Sequence, residues 1–111
     1  MPFGLELGRD GTSIVVRLAG ELDIETSPEL RECLERLVEQ RHVSIVVDLG
    51  HLTFCDSTGI SALVQGYHGC QKAGGYLRIE GETGLVARVL ELTGLRGVLR
   101  QEGSVRAAAD G

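Results

Sequence analysis

The stretch Val43-Ser44-Ile45-Val46-Val47-Asp48-Leu49-Gly50-His51-Leu52-Thr53-Phe54-Cys55-Asp56-Ser57-Thr58-Gly59 decides the fold. It opens with a short, nearly continuous apolar run of β-branched character, Val43, Ile45, Val46, Val47 and Leu49, the pattern of a mid-sheet strand covered on both faces. Beyond its end, Ile60, Leu63, Val64 and Tyr67 fall on one helical stripe, so a helix is predicted to start near Asp56-Ser57. Lys72-Ala73-Gly74-Gly75 supplies a cation in the last turn and then a glycine stop. The residues from Asp48 to Cys55 read as the loop joining strand to helix. In open α/β sheets such loops gather at the carboxyl edge of the strands, where ligands and partners bind.

Upstream, Phe3, Leu5 and Leu7 alternate with polar or small residues, as do Ile14, Val16 and Leu18, with Asp10-Gly11 between the two runs. This predicts a hairpin in which Gly11 supplies a positive φ. Thr26-Ser27-Pro28-Glu29 marks a helix start, with either hydroxyl able to cap and Pro28 suited to the first turn. Leu30, Leu34, Leu37 and Val38 then recur at helical spacing. Downstream, Leu77 and Ile79 alternate in a further strand, and Leu85, Val86, Val89, Leu90 and Leu92 mark a helix ended by Gly94. The order ββαβαβα emerges. A short piece around Val98-Leu99 and a weak helix from Ser104 to Ala109, or a frayed tail over about 100–111, complete the expectation.

With 111 residues the chain has room for one domain, 1–111, and its apolar residues, 42% of the total, are spread widely enough to build a core. The longest apolar stretches fall far short of the roughly 20 residues that a membrane helix needs, and the N-terminus lacks the basic start of a signal peptide. A cytoplasmic protein is expected, with no membrane partner. A net charge of −5, no Trp, and only two Tyr and two Phe give no footprint for direct nucleic-acid binding.

Cys33, Cys55 and Cys70 are odd in number and widely spaced, and His42, His51 and His68 make no H-x-x-x-H or H-E-x-x-H. Neither a disulfide framework nor a metal site is expected, and reduced, buried thiols are. No phosphate-binding glycine loop and no G-x-S-x-G elbow occurs, so neither a cofactor nor a catalytic residue is assigned. Cys55 and His51 could be written as a dyad, but no third group orients them. Ser57 can be read in two ways. Asp56 or Ser57 is a helix cap with Thr58 a good first-turn residue; or Ser57 is a modification target, its hydroxyl facing solvent where orphan amides and the helix dipole favour a phosphate.

Three segments carry a resemblance to a known family: Gly20-Glu21-Leu22-Asp23, Asp56-Ser57-Thr58-Gly59 and Leu90-Glu91-Leu92-Thr93-Gly94-Leu95. In this order, with the intervening patterns, the chain resembles the STAS domain family along essentially its whole length, and within it the anti-sigma factor antagonists. The resemblance implies a single α/β domain: a mixed four- to five-stranded sheet with helices packed mainly on one side. It implies that Ser57 is phosphorylated by an anti-sigma factor that is also an ATP-dependent serine kinase, and that a PP2C-type phosphatase reverses the mark. The unphosphorylated form would occupy the anti-sigma factor and free the sigma factor. Asp23, Asp56, Ser57, Thr58 and Gly59 would form the partner-binding surface on a monomer or weak dimer. Asp23 matches an acidic position near the serine, and its loss is expected to weaken binding while barely moving the thermal midpoint. Cys55 departs from the family, which usually has a larger apolar residue there, so looser packing or an oxidisable site is expected. The rivals are a STAS adaptor or scaffold without a phosphoswitch, of stressosome or lipid-transport type, and a small enzyme or nucleotide-binding protein.

Overall fold

A computed structural model describes residues 2–101. The elements are β1 (Gly4–Asp10), β2 (Ser13–Leu22), α1 (Ser27–Glu39), β3 (Ser44–Cys55), α2 (Ser57–Lys72), β4 (Tyr76–Glu80), α3 (Gly84–Leu92) and α4 (Leu95–Gln101). They form a four-stranded mixed sheet in the order β1-β2-β3-β4, with β1 antiparallel to β2 and the other two pairings parallel. The hairpin turns at Gly11, whose φ of 65° suits a residue without Cβ. The expected α/β domain is thus present, and the piece around Val98-Leu99 belongs to α4. The weak helix read over 104–109 lies outside the described residues.

One face of the sheet carries the core. Ile14, Val16 and Leu18 of β2, Ile45, Val47 and Leu49 of β3, and Leu77 and Ile79 of β4 share one cluster with Leu30 and Leu34 of α1, Leu63 and Cys70 of α2, Val86 and Leu90 of α3, and Leu99 of α4. The helices therefore lie on one side, and the expectation of cover on both faces of the central strand is corrected. Val15 and Val46 are buried but stand outside that cluster, on the other face. There the paired rows place Arg17 beside Asp48, at 3.7 Å, and Arg78 over the ring of Tyr76, whose hydroxyl bonds Ser13 at 2.6 Å. Long polar side chains, with apolar stems, shield the two valines where a second helical layer was expected.

The second correction concerns 49–55. It is strand rather than loop: β3 runs on past its last β4 partner, Asp48, and pairs with Ala19–Leu22 of β2 through register shifts between Arg17 and Ala19 and between Gly20 and Glu21. Such shifts bend and twist a ladder. Leu52 and Cys55 still reach the core, and the strand end carries the Ser57 turn to the tip of this β2–β3 extension.

Glu82, between β4 and α3, was not singled out by the sequence reading. Its carboxylate is 1% exposed, and Oε2 accepts from Arg96 Nε at 2.8 Å and lies 3.4 Å from Arg100 Nε. Arg96 also donates to the exposed Glu91. The buried carboxylate thereby ties α4 to the loop after β4.

Candidate functional site

The site is built where two strands end side by side. Leu22, the last residue of β2, is registered with Cys55, the last of β3, and the Asp56 amide donates to the Leu22 carbonyl at 3.1 Å. The turn after β2, with Asp23, and the turn after β3, with Ser57, therefore open at one edge.

Asp56 is the N-cap of α2. Its Oδ1 accepts from the amides of Thr58 at 2.9 Å and Gly59 at 3.2 Å, and from the Thr58 hydroxyl at 2.5 Å. The Thr58 hydroxyl, first, and then these amides hold the carboxyl below the usual carboxylate range, against the opposing effect of partial burial. This changes the expectation of free amides awaiting a phosphate: the first-turn N–H groups of Thr58 and Gly59 already have an anion. Ser57 is exposed, and among the described residues its hydroxyl takes no hydrogen bond, whereas Thr58 is half-buried with its hydroxyl held by Asp56.

Gly59 is buried, and a Cβ there would come 2.7 Å from Leu22 Cγ and Cδ2 and 3.0 Å from Cys55 Sγ. Only a glycine lets α2 approach the end of β2 this closely, which brings the two turns together.

Asp23 is more than a loop carboxylate. Its Oδ1 accepts from the amides of Glu25 at 3.0 Å and Thr26 at 3.1 Å and lies 3.2 Å from the Thr26 hydroxyl. That hydroxyl also donates to the Glu21 carbonyl at 2.9 Å and accepts from the Asp23 amide at 2.8 Å. Thr26 occupies the N-cap position of α1 but makes no side-chain cap bond, since its hydroxyl serves the turn. Ser27 is buried in the first turn and Pro28 opens the helix as expected.

Sequence reasoning passed over Ile24. It is 70% exposed, one residue past Asp23, and an isoleucine in a strand-to-helix turn was the available signal.

Cys55 is buried, its thiol 3.6 Å from the Asp56 carbonyl, and burial first, with the Asp56 charge second, pushes it up to about 12. A thiol with that pKa is not an activated nucleophile near neutral pH, so neither the dyad with the exposed His51 nor an oxidisable site is supported. Among the described residues no three His, Cys, Asp or Glu side chains gather as metal ligands would, and no helix is long and apolar enough to cross a membrane.

Comparison with known proteins extends this geometry. The family model described as "Mlab, STAS domain" matches residues 5–101. The anti-sigma-B factor antagonist of Bacillus subtilis (strain 168) is 30% identical over 110 residues, covering 96% of this chain and all of that protein. The anti-sigma factor antagonist SpoIIAA in its unphosphorylated form shares the fold with a TM-score of 0.77 at 21% identity, over 96% of this chain and 94% of that one. The Bacillus cell fate determinant SpoIIAA in the phosphorylated form gives 0.70 at 23% identity, over 98% and 97%. The paired turns, the one-sided mixed sheet and the match along nearly the whole chain make this protein a member of the STAS domain family.

Proposed function

We propose that this protein is an anti-sigma factor antagonist of the bacterial cytoplasm, controlled by phosphorylation of Ser57. Unphosphorylated, it occupies an anti-sigma factor through Asp23, Asp56, Ser57, Thr58 and Gly59, with the exposed Ile24 at the rim, and so releases the sigma factor. The anti-sigma factor is itself the ATP-dependent serine kinase that marks Ser57, and a PP2C-type phosphatase removes the mark. The kinase carries the chemistry, and this chain supplies the acceptor hydroxyl and a binding surface.

One observation carries the reading: of the two adjacent hydroxyls, that of Thr58 is bound by Asp56, whereas that of Ser57 is exposed and unbonded among the described residues. A phosphate there adds about −1.5 to −2 charges beside the Asp56 carboxylate, and the nearest helix amides are already occupied. At about 4 Å, one like charge on the partner costs roughly 4 kcal/mol at an effective dielectric of about 20, and a third of that weakens binding about tenfold.

The test is incubation of the protein, Ser57→Ala and Thr58→Val with the cognate kinase and ATP, followed by calorimetry of each form against the kinase with ADP. The wild type and Thr58→Val should be labelled once, Ser57→Ala should bind without being labelled, and the phosphorylated form should bind at least about tenfold more weakly. Stoichiometric labelling of Ser57→Ala, or equal affinities of the two forms, would overturn the proposal. Equal affinities would point to an adaptor without a switch.

A further inference from the structure

The two edges of the sheet are not alike. On one, β4 is short, five residues, and α2 and α4 pack against it. On the other, β1 is seven residues long and pairs only with β2 among the described residues, in a register without a bulge. Natural edge strands are blunted by Pro, Lys, bulges or shortness, and Gly4–Asp10 has none of these. Its middle residue, Leu7, is 55% exposed on the helix side of the sheet. An apolar residue at the centre of an open, regular edge needs a cover.

We propose that β1 is a self-association edge, pairing antiparallel with β1 of a second copy about a two-fold axis through Leu7. In an antiparallel pair opposite residues share a face, and a two-fold normal to the sheet then requires residue numbers of equal parity to meet. Centring on Leu7 is the register of this kind that uses all seven residues. It places Leu7 on Leu7 of the second copy, the stem of Arg9 on Leu5, Glu6 opposite Gly8 and Asp10 opposite Gly4, so that each outer-face acid meets a glycine. The charge pattern fits as well. Arg17 Nη1 leans over Gly8, 3.1 Å from where a Cβ would stand, and Arg17 is about half exposed. Glu6 is exposed and makes no ion pair among the described residues, so Glu6 of the second copy, reaching across Gly8, arrives at Arg17. Gly8 leaves the gap through which the pair forms. A single shared strand edge is a small interface, so the dimer is weak and reversible.

Sedimentation velocity from micromolar to millimolar protein tests this. The wild type should pass from monomer to dimer across that range, with alternate β1 amides gaining hydrogen-exchange protection as dimer forms. Leu7→Lys should weaken association at least about tenfold with an unchanged circular dichroism spectrum. Glu6→Arg and Arg17→Glu should each weaken it, and the double charge swap should restore it. A wild type that stays monomeric at millimolar concentration overturns the proposal. So does a dimer as strong in Leu7→Lys as in the wild type, or a charge swap no stronger than either single variant. Protection of β1 that appears only when another protein is added would likewise overturn it and assign the edge to that protein.

Discussion

The turns after β2 and β3 are two versions of one device. In Asp23-Ile24-Glu25-Thr26 and in Asp56-Ser57-Thr58-Gly59, the aspartate Oδ1 accepts from the amides two and three residues on and meets a threonine hydroxyl inside the turn. In each, the residue directly after the aspartate is exposed: an isoleucine in one turn and a serine in the other. They differ at the fourth position. Thr26 there closes its turn by bonding back to Glu21, and α1 begins one residue later without a side-chain cap. Gly59 is already inside α2 and is pressed onto Leu22. The same local chemistry thus yields a free-standing turn in one place and, in the other, a capped helix docked against its neighbour. What separates them is whether the fourth residue has a side chain.

That contrast can be broken first at Gly59. Gly59→Ala drives a Cβ into Leu22 and Cys55, an overpacking that costs about 1–3 kcal/mol, against at most about 1 kcal/mol gained in helix propensity. A net loss follows, and at roughly 4–8 °C per kcal/mol the thermal midpoint should fall by several degrees. An unchanged midpoint would mean that α2 can move off β2 freely and that the close docking does not matter.

The cap comes next. Asp56→Ala should cost about 0.5–2 kcal/mol in urea unfolding near neutral pH. Because the folded state lowers the Asp56 pKa, its unfolded form binds the proton first. The contribution is therefore present above the ordinary value of about 3.9 and lost as pH falls through the folded value. The gap between wild type and Asp56→Ala should narrow below about pH 4. A gap that stays constant into acid would show that the charge is not what caps the helix.

The smallest of the three effects belongs to Asp23. Its three contacts are local to a partly exposed turn that caps no helix directly, so Asp23→Ala should cost about 0.5–1 kcal/mol, less than Asp56→Ala. The sequence alone led to the expectation of almost no cost, since nothing in Gly20-Glu21-Leu22-Asp23 announces the bonds to Glu25 and Thr26. Equal losses in paired thermal melts of Asp23→Ala and Asp56→Ala would mean that the two turns are energetically equivalent despite their different outcomes.

β3 shows what was legible and why. Its first half, from Ser44 to Asp48, has neighbours on both edges and reads as strand from its β-branched apolar run alone. Its second half has β2 on one side only, and Gly50, His51 and Thr53 are exposed, so no periodicity survives in the sequence. Pairing with Ala19–Leu22, distant in the chain, makes it a strand. The one-sided cover had the same kind of cause: Val15 and Val46 are as apolar as any core residue, and only the placement of Arg17, Asp48 and Arg78 shows that side chains rather than helices shelter them. Glu82 is a charged residue in a loop by sequence and a buried anchor for α4 by structure.

By itself the sequence determined the elements and their order, the helix start at Asp56-Ser57, the glycine turn at Gly11, and the segment on which the candidate site stands. These depend on interactions within a few residues, namely the period of the apolar positions, the hydroxyls and carboxylates that cap, and the glycine that accepts a positive φ. Only the tertiary structure decided that Asp23 and Ser57 share an edge, that Thr58 is bound where Ser57 is free, that Gly59 must be small, and that β1 is left open. Each of these depends on which atoms meet across strands and helices far apart in the chain, and neither composition nor periodicity encodes that distance.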